Sequence, residues 1–164
     1  MNELPSLRVG AVARALLRIP VPWVYVLAYL LGAGLETVLL RTHPLAGQPI
    51  AGGIGAAAFL IGAALAAWGW LTFHRVGTTR VPGEASTTMV NWGPYRFTRN
   101  PMYLGLACAY LGEAGLLRQV VPILLLPLVI VYVNRIVIPV EEQKLREVFR
   151  QQYDDYQRAV RRWL

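Results

Sequence analysis

The sequence predicts an all-α, polytopic membrane protein, and three observations carry that prediction. Apolar residues make up 55% of the 164-residue chain, with a mean hydropathy of +0.43. They gather into four runs that approach the roughly 17–25 residues a helix needs to cross hydrocarbon. The basic residues alternate between the connections, clustered in some and sparse in others.

The expected spans are Pro22 to Leu40, Ile50 to Phe73, Pro101 to Leu117 and Val120 to Pro139. The third is the shortest and contains Glu113. At this length one domain, residues 1–164, is expected. Arg8, Arg14 and Arg18 precede the first span, which invites comparison with a secretory signal. The run is long for one, however, and Leu39-Leu40-Arg41-Thr42 offers no small-residue cleavage site, so an uncleaved anchor is expected.

Arginines are plentiful before span one, between spans two and three and after span four, whereas Arg41 and Arg118 stand alone in the other two connections. By the positive-inside rule both termini are cytoplasmic. The formal charge of +7 is therefore an orientation signal rather than a nucleic-acid footprint. The short loops and the Arg/Ala-rich composition suggest a prokaryotic inner membrane. Cys108 has no partner thiol, and His43 and His74 are the only histidines. No disulfide or metal centre is expected, and Cys108 is read as a packing residue.

Ahead of span one, Leu7 to Leu17 has an apolar side and an arginine side, as expected of a helix lying on an anionic leaflet. Span two is rich in Gly and Ala, which lets helix backbones approach closely in lipid; packing within the monomer is favoured over a dimer contact. Trp68, Trp70 and Phe73 mark its interfacial end. The connection from His74 to Asn100 is the longest, and Gly77, Pro82 and Gly83 argue against a continuous helix there. Long loops in compact proteins are often functional. After span four, residues 140–158 are expected to form a cytoplasmic amphipathic helix.

The chemistry-bearing residues sit at the ends of the last helical hairpin. Asn100-Pro101 is a good helix start, an N-cap followed by a proline at the first helical position. The backbone N–H groups of that first turn favour anions, and Arg96 and Arg99 stand beside them. The competing interpretation is a capped span with arginines snorkelling to lipid phosphates. Glu141 and Glu142 follow Pro139; alone they would merely complement a helix dipole. A short turn near Leu116 to Gln119 returns them to the membrane face that holds Asn100, opposing acidic and basic groups for a ligand bearing both charges.

These two blocks resemble the isoprenylcysteine carboxyl methyltransferase family and the related phospholipid methyltransferases. The first is Gly93-Pro94-Tyr95-Arg96 with Arg99-Asn100-Pro101-Met102-Tyr103-Leu104-Gly105. The second is Glu141-Glu142-Gln143-Lys144-Leu145, followed by Phe149, Tyr153, Tyr156, Arg161 and Arg162. The resemblance spans about Phe73 to Leu164 and implies S-adenosylmethionine as cofactor. Arg99 and the helix start would take its carboxylate, and Glu141 or Glu142 its ammonium or ribose hydroxyls. Tyr95 or Tyr103 would face the sulfonium through a cation–π contact, and Gly105 would admit the cofactor close to the helix backbone.

Two departures stand out. Many relatives carry His where this chain has Asn100, which excludes a mechanism needing an imidazole there. Many carry Gly where it has Arg150, which bears on the turn of the last helix. The implied reaction is methyl transfer to a lipophilic small molecule or lipid entering from the bilayer, with carboxyl, amine and thiol acceptors all compatible. Arg135, about one turn before Glu141, is the candidate for orienting an anionic acceptor; its alternative role is a snorkelling anchor. Glu36 and Glu113, nearer the outer face, are expected to satisfy polar partners or water. Competing readings are an NADPH-dependent membrane reductase and a non-catalytic assembly or lipid-binding subunit.

Overall fold

The computed structural model describes residues 19–40, 49–75 and 89–164, and within these it is helical with no strand. The expected leader helix at Leu7 to Leu17 and residues 76–88 of the His74–Asn100 loop lie outside the described residues. The helices are α1 (Val21–Leu39), α2 (Pro49–Arg75), α3 (Pro101–Leu116), α4 (Val121–Tyr132), α5 (Ile138–Phe149) and α6 (Gln151–Ala159). A single 3-10 turn, Gly93–Arg96, leads into α3, and a π-turn, Val133–Val137, joins α4 to α5.

Three helical stretches are long and apolar enough to cross a membrane: Val21–Leu39, Gly52–Arg75 and the continuous Val121–Phe149. Helix α3, at 16 residues, falls short of that length. Its rise of about 24 Å is less than the roughly 30 Å of a hydrocarbon core.

In α1 only Tyr25, Tyr29, Gly32 and Glu36 are buried. They recur at spacings of three and four and so form one stripe, while Leu27, Leu30, Leu31 and Val38 remain more than half exposed. Such an apolar exterior is what lipid contact requires. The buried stripe packs against α4, whose Leu126 and Val129 face inwards, as do Val133 and Val137 of the π-turn. Tyr29 and Tyr110 meet edge to face at 5.1 Å between ring centres. Glu36, fully buried, accepts hydrogen bonds from Val120 N at 2.8 Å and Val121 N at 2.9 Å. It thus caps α4 from another helix, supplying an acceptor to N–H groups that would otherwise lack one.

The most extensive contact is between α2 and α3. A Cβ added at Gly105 would lie 2.7 Å from Gly62 O, and one at Gly112 would lie 2.7 Å from Gly55 O. The two backbones touch at both places, seven residues apart on each antiparallel helix. The small residues of span two are therefore a packing face within the monomer, and Cys108 lies along the same contact. At the end of α3, Arg118 takes φ 59°. Arg118 N and Gln119 N bond back to Gly115 O and Ala114 O, which closes the turn into α4.

The amphipathic helix expected over 140–158 is not continuous. Its first part belongs to α5, which follows directly on α4 and the π-turn, and it breaks at Arg150, where φ is 46° and ψ −121°. The break turns α6 back towards α3 and buries Tyr153. Pro139 explains the π-turn locally. A proline lacks the N–H and crowds the preceding turn of an α-helix, and a wider turn relieves both.

Candidate active site

The entrance to α3, the start of α5 and the returning α6 enclose a cavity of about 390 Å³. That lies within the roughly 300–1,000 Å³ typical of small-molecule pockets. Tyr95, Arg99, Asn100, Tyr103, Glu141 and Glu142 all line it, although 38 or more residues separate the last two from the other four. Phe73, Met89, Val90, Met102, Leu145 and Phe149 give it an apolar wall, and Tyr153 and Tyr156 close one side.

Two residues expected here sit elsewhere. Gly105 is buried against α2, where an added Cβ would lie 2.5 Å from Ala66 N. Its missing side chain serves helix packing rather than a cofactor. Arg135 is exposed on the π-turn and does not line the cavity, because the wider turn carries it to the outside. An exposed arginine near the end of a span fits the snorkelling anchor.

The glutamates have different surroundings. Glu141 is exposed towards the opening and accepts a 2.6 Å hydrogen bond from Tyr103 Oη. Its second oxygen takes no donor from the described residues. Glu142 is forked by Arg162, with Nε 3.1 Å from Oε1 and Nη2 2.6 Å from Oε2. This is the bidentate geometry that makes guanidinium–carboxylate pairs strong. Arg99 Nη1 lies 3.3 Å from Glu142 Oε1 but is not aligned to bond it. Arg99 Nε and Nη1 are buried without a hydrogen-bond partner among the described residues. Buried donors are rarely left so, and these two belong to a planar fork suited to an anion.

Asn100 begins α3 as expected, but its side chain does not cap the helix. Nδ2 instead donates to Arg162 O at 2.9 Å. Thr98 Oγ1 donates to the same oxygen at 3.1 Å, and Arg99 N donates to Arg161 O at 2.9 Å. The segment 160–164 is thereby sewn to the loop that carries Arg99. It is also tied to the π-turn, where Asn134 Oδ1 accepts from Trp163 Nε1 at 3.1 Å and Arg162 Nη1 at 3.4 Å. Sequence reasoning gave Arg162 and Asn134 no such role. Arg162 enters the sequence reading only as the end of the second block, and its partners and that of Trp163 are 20 or more positions away.

The phenols are held as neutral donors. Burial, and then the charge of Glu141, push Tyr95 up to about 12. Burial also raises Tyr153 and Tyr156 above the ordinary phenol value. Tyr156 Oη donates to Tyr95 O at 2.7 Å, which locks α6 onto the 3-10 turn. Among the described residues no group of three or more His, Cys, Asp or Glu is placed to hold a metal ion.

No curated protein and no solved structure matches this chain. The sequence profile of the phospholipid methyltransferase family matches residues 51–152, well over half of it. That stretch carries the α2–α3 pair, the Tyr95–Arg99 entrance and both glutamates, and the chain belongs to the phospholipid methyltransferase family.

Proposed function

We propose that the protein transfers a methyl group from S-adenosylmethionine to a lipophilic acceptor entering from the bilayer at the cytoplasmic face. Family membership supports methyl transfer to lipid-type substrates. The observation that carries the cofactor assignment is the buried donor pair of Arg99, without a hydrogen-bond partner among the described residues, lining the same cavity as the Glu141 carboxylate. A ligand bearing a carboxylate and an ammonium satisfies both groups, as the amino-acid end of that cofactor does. The residues present therefore fit it.

Arg99 and the first-turn N–H groups of α3 would hold the carboxylate, and Glu141, oriented by Tyr103, the ammonium. When bound, S-adenosylmethionine supplies a methyl group made electrophilic by its sulfonium. Tyr95, neutral through the physiological range, offers a ring face to a cation. Phe73, Met89, Leu145 and Phe149 exclude water and match an apolar acceptor. The protein's contribution is then chiefly positioning, which can remove roughly 7–11 kcal/mol from a bimolecular barrier. A carboxylate or thiolate acceptor needs no base, whereas an ammonium acceptor must first lose a proton.

Equilibrium dialysis of radiolabelled S-adenosylmethionine against detergent-purified protein tests this directly. Wild type is expected to bind saturably, and Glu141→Gln at least tenfold more weakly with its Tm unchanged. Absence of binding by folded wild type, in detergent and again in lipid, would rule the proposal out.

A further inference from the structure

The two glutamates are adjacent, yet Arg162 separates their roles. Its guanidinium takes both oxygens of Glu142, at 3.1 and 2.6 Å, in a setting where the Glu142 side chain is only 12% exposed. The same carboxylate stands 3.3 Å from Arg99 Nη1. Two arginines therefore compete for one carboxylate, and Arg162 holds the aligned position. Apart from that ion pair, Arg99 Nε and Nη1 are buried donors with no hydrogen-bond partner among the described residues.

With Arg162 removed, the nearest acceptor for those donors is Glu142 itself. A buried carboxylate stripped of its partner is strongly driven towards another cation. Turning onto Arg99, it would fill the fork and cancel its charge. The Arg162 main chain adds a second constraint, because its carbonyl holds Asn100 Nδ2 and Thr98 Oγ1 on either side of Arg99.

We propose that Arg162 is a positioning residue that occupies Glu142 and so keeps the Arg99 fork open for the carboxylate of the cofactor. This rests on the cofactor assignment above and deepens it. Glu141 is left as the ligand acid, and Glu142 becomes the counter-ion of the 160–164 strap. The strap then supports the binding site although none of its residues lines the cavity.

The test compares dissociation constants for S-adenosylmethionine and its decarboxylated analogue, which lacks only the carboxylate. Wild type is expected to prefer the parent compound by at least tenfold. Arg162→Met, which leaves the main-chain carbonyl in place, should collapse that preference to within about threefold by weakening the parent compound alone. The double variant Arg162→Met/Glu142→Gln should restore it, since an amide no longer neutralises Arg99. A merely structural role predicts the opposite pattern, with both ligands weakened together and the double variant no better than the single one.

A preference retained in Arg162→Met, equal weakening of both ligands, or a failure of the double variant to recover would overturn the proposal. Should Arg162→Met lower the Tm markedly, Arg162→Lys gives the same comparison, because an ammonium cannot fork both oxygens. Wild type that binds neither ligand would reject the cofactor assignment itself. Wild type that binds both equally would reject only the role of Arg99, and Arg162 with it.

Discussion

Arg150 occupies a backbone conformation, φ 46° and ψ −121°, that a Cβ disfavours and glycine adopts freely. The resemblance to relatives with glycine here marks the position as special, and the structure gives the reason: the chain reverses between α5 and α6. Arg150→Gly is expected to stabilise the fold by about 1 kcal/mol, the relief of left-handed strain less the greater freedom of glycine in the unfolded chain. Thermal denaturation in detergent should show a Tm higher by a few degrees. A lower Tm would mean that the arginine side chain contributes more than its backbone costs. The charged residues of the site teach a related lesson. Glu141 and Glu142 are equivalent as letters, and only the position of Arg162, 20 residues further on, makes one a ligand candidate and the other a counter-ion.

Helices α2 and α3 meet through glycines. The abundance of small residues in span two announces a close approach, but the residues in contact are Gly55 and Gly62 against Gly112 and Gly105, spaced by seven. Spacing of that kind keeps one seam facing a partner over several turns. Gly112→Ala puts a methyl group against the Phe59 and Gly55 backbones, neither of which can rotate away as a side chain would. A loss of about 1–3 kcal/mol is expected, as for overpacking elsewhere, and is read as a lower Tm or a lower midpoint of denaturation. Because α3 carries Tyr103 to the cavity and Arg99 directly precedes it, ligand affinity should fall as well. Gly105 belongs to this seam, which is why a role beside the cofactor does not suit it.

Over the whole molecule, the cavity and the Arg118 turn lie at opposite ends of α3. By the positive-inside rule, the distribution of arginines predicts the cavity on the cytoplasmic side and that turn outside. In a Cys108→Ser background, a cysteine at Gln119 should react with an impermeant maleimide in intact cells. One at Arg158, beside the cavity end, should react only after permeabilisation. The reverse pattern would invert the topology and place the proposed site on the outer face. Helix α3 is too short to span the bilayer by itself, so this measurement also decides whether the α3–α4 turn reaches the outer surface.

The sequence by itself determined the class of molecule, because hydropathy runs, basic alternation and proline-capped helix starts are local signals that need no partner. It also marked Tyr95, Arg99, Asn100, Tyr103, Glu141 and Glu142 as a group, since one helical hairpin is enough to bring their two blocks together. The tertiary structure decided what each of them touches. Whether a carboxylate is free, a guanidinium is satisfied or a glycine faces a ligand depends on neighbours far along the chain. Arg162 reaches Glu142, Trp163 reaches Asn134, and Gly62 reaches Gly105. Hydrogen bonds and close packing act over a few ångströms, so they become visible only when the helices are laid side by side.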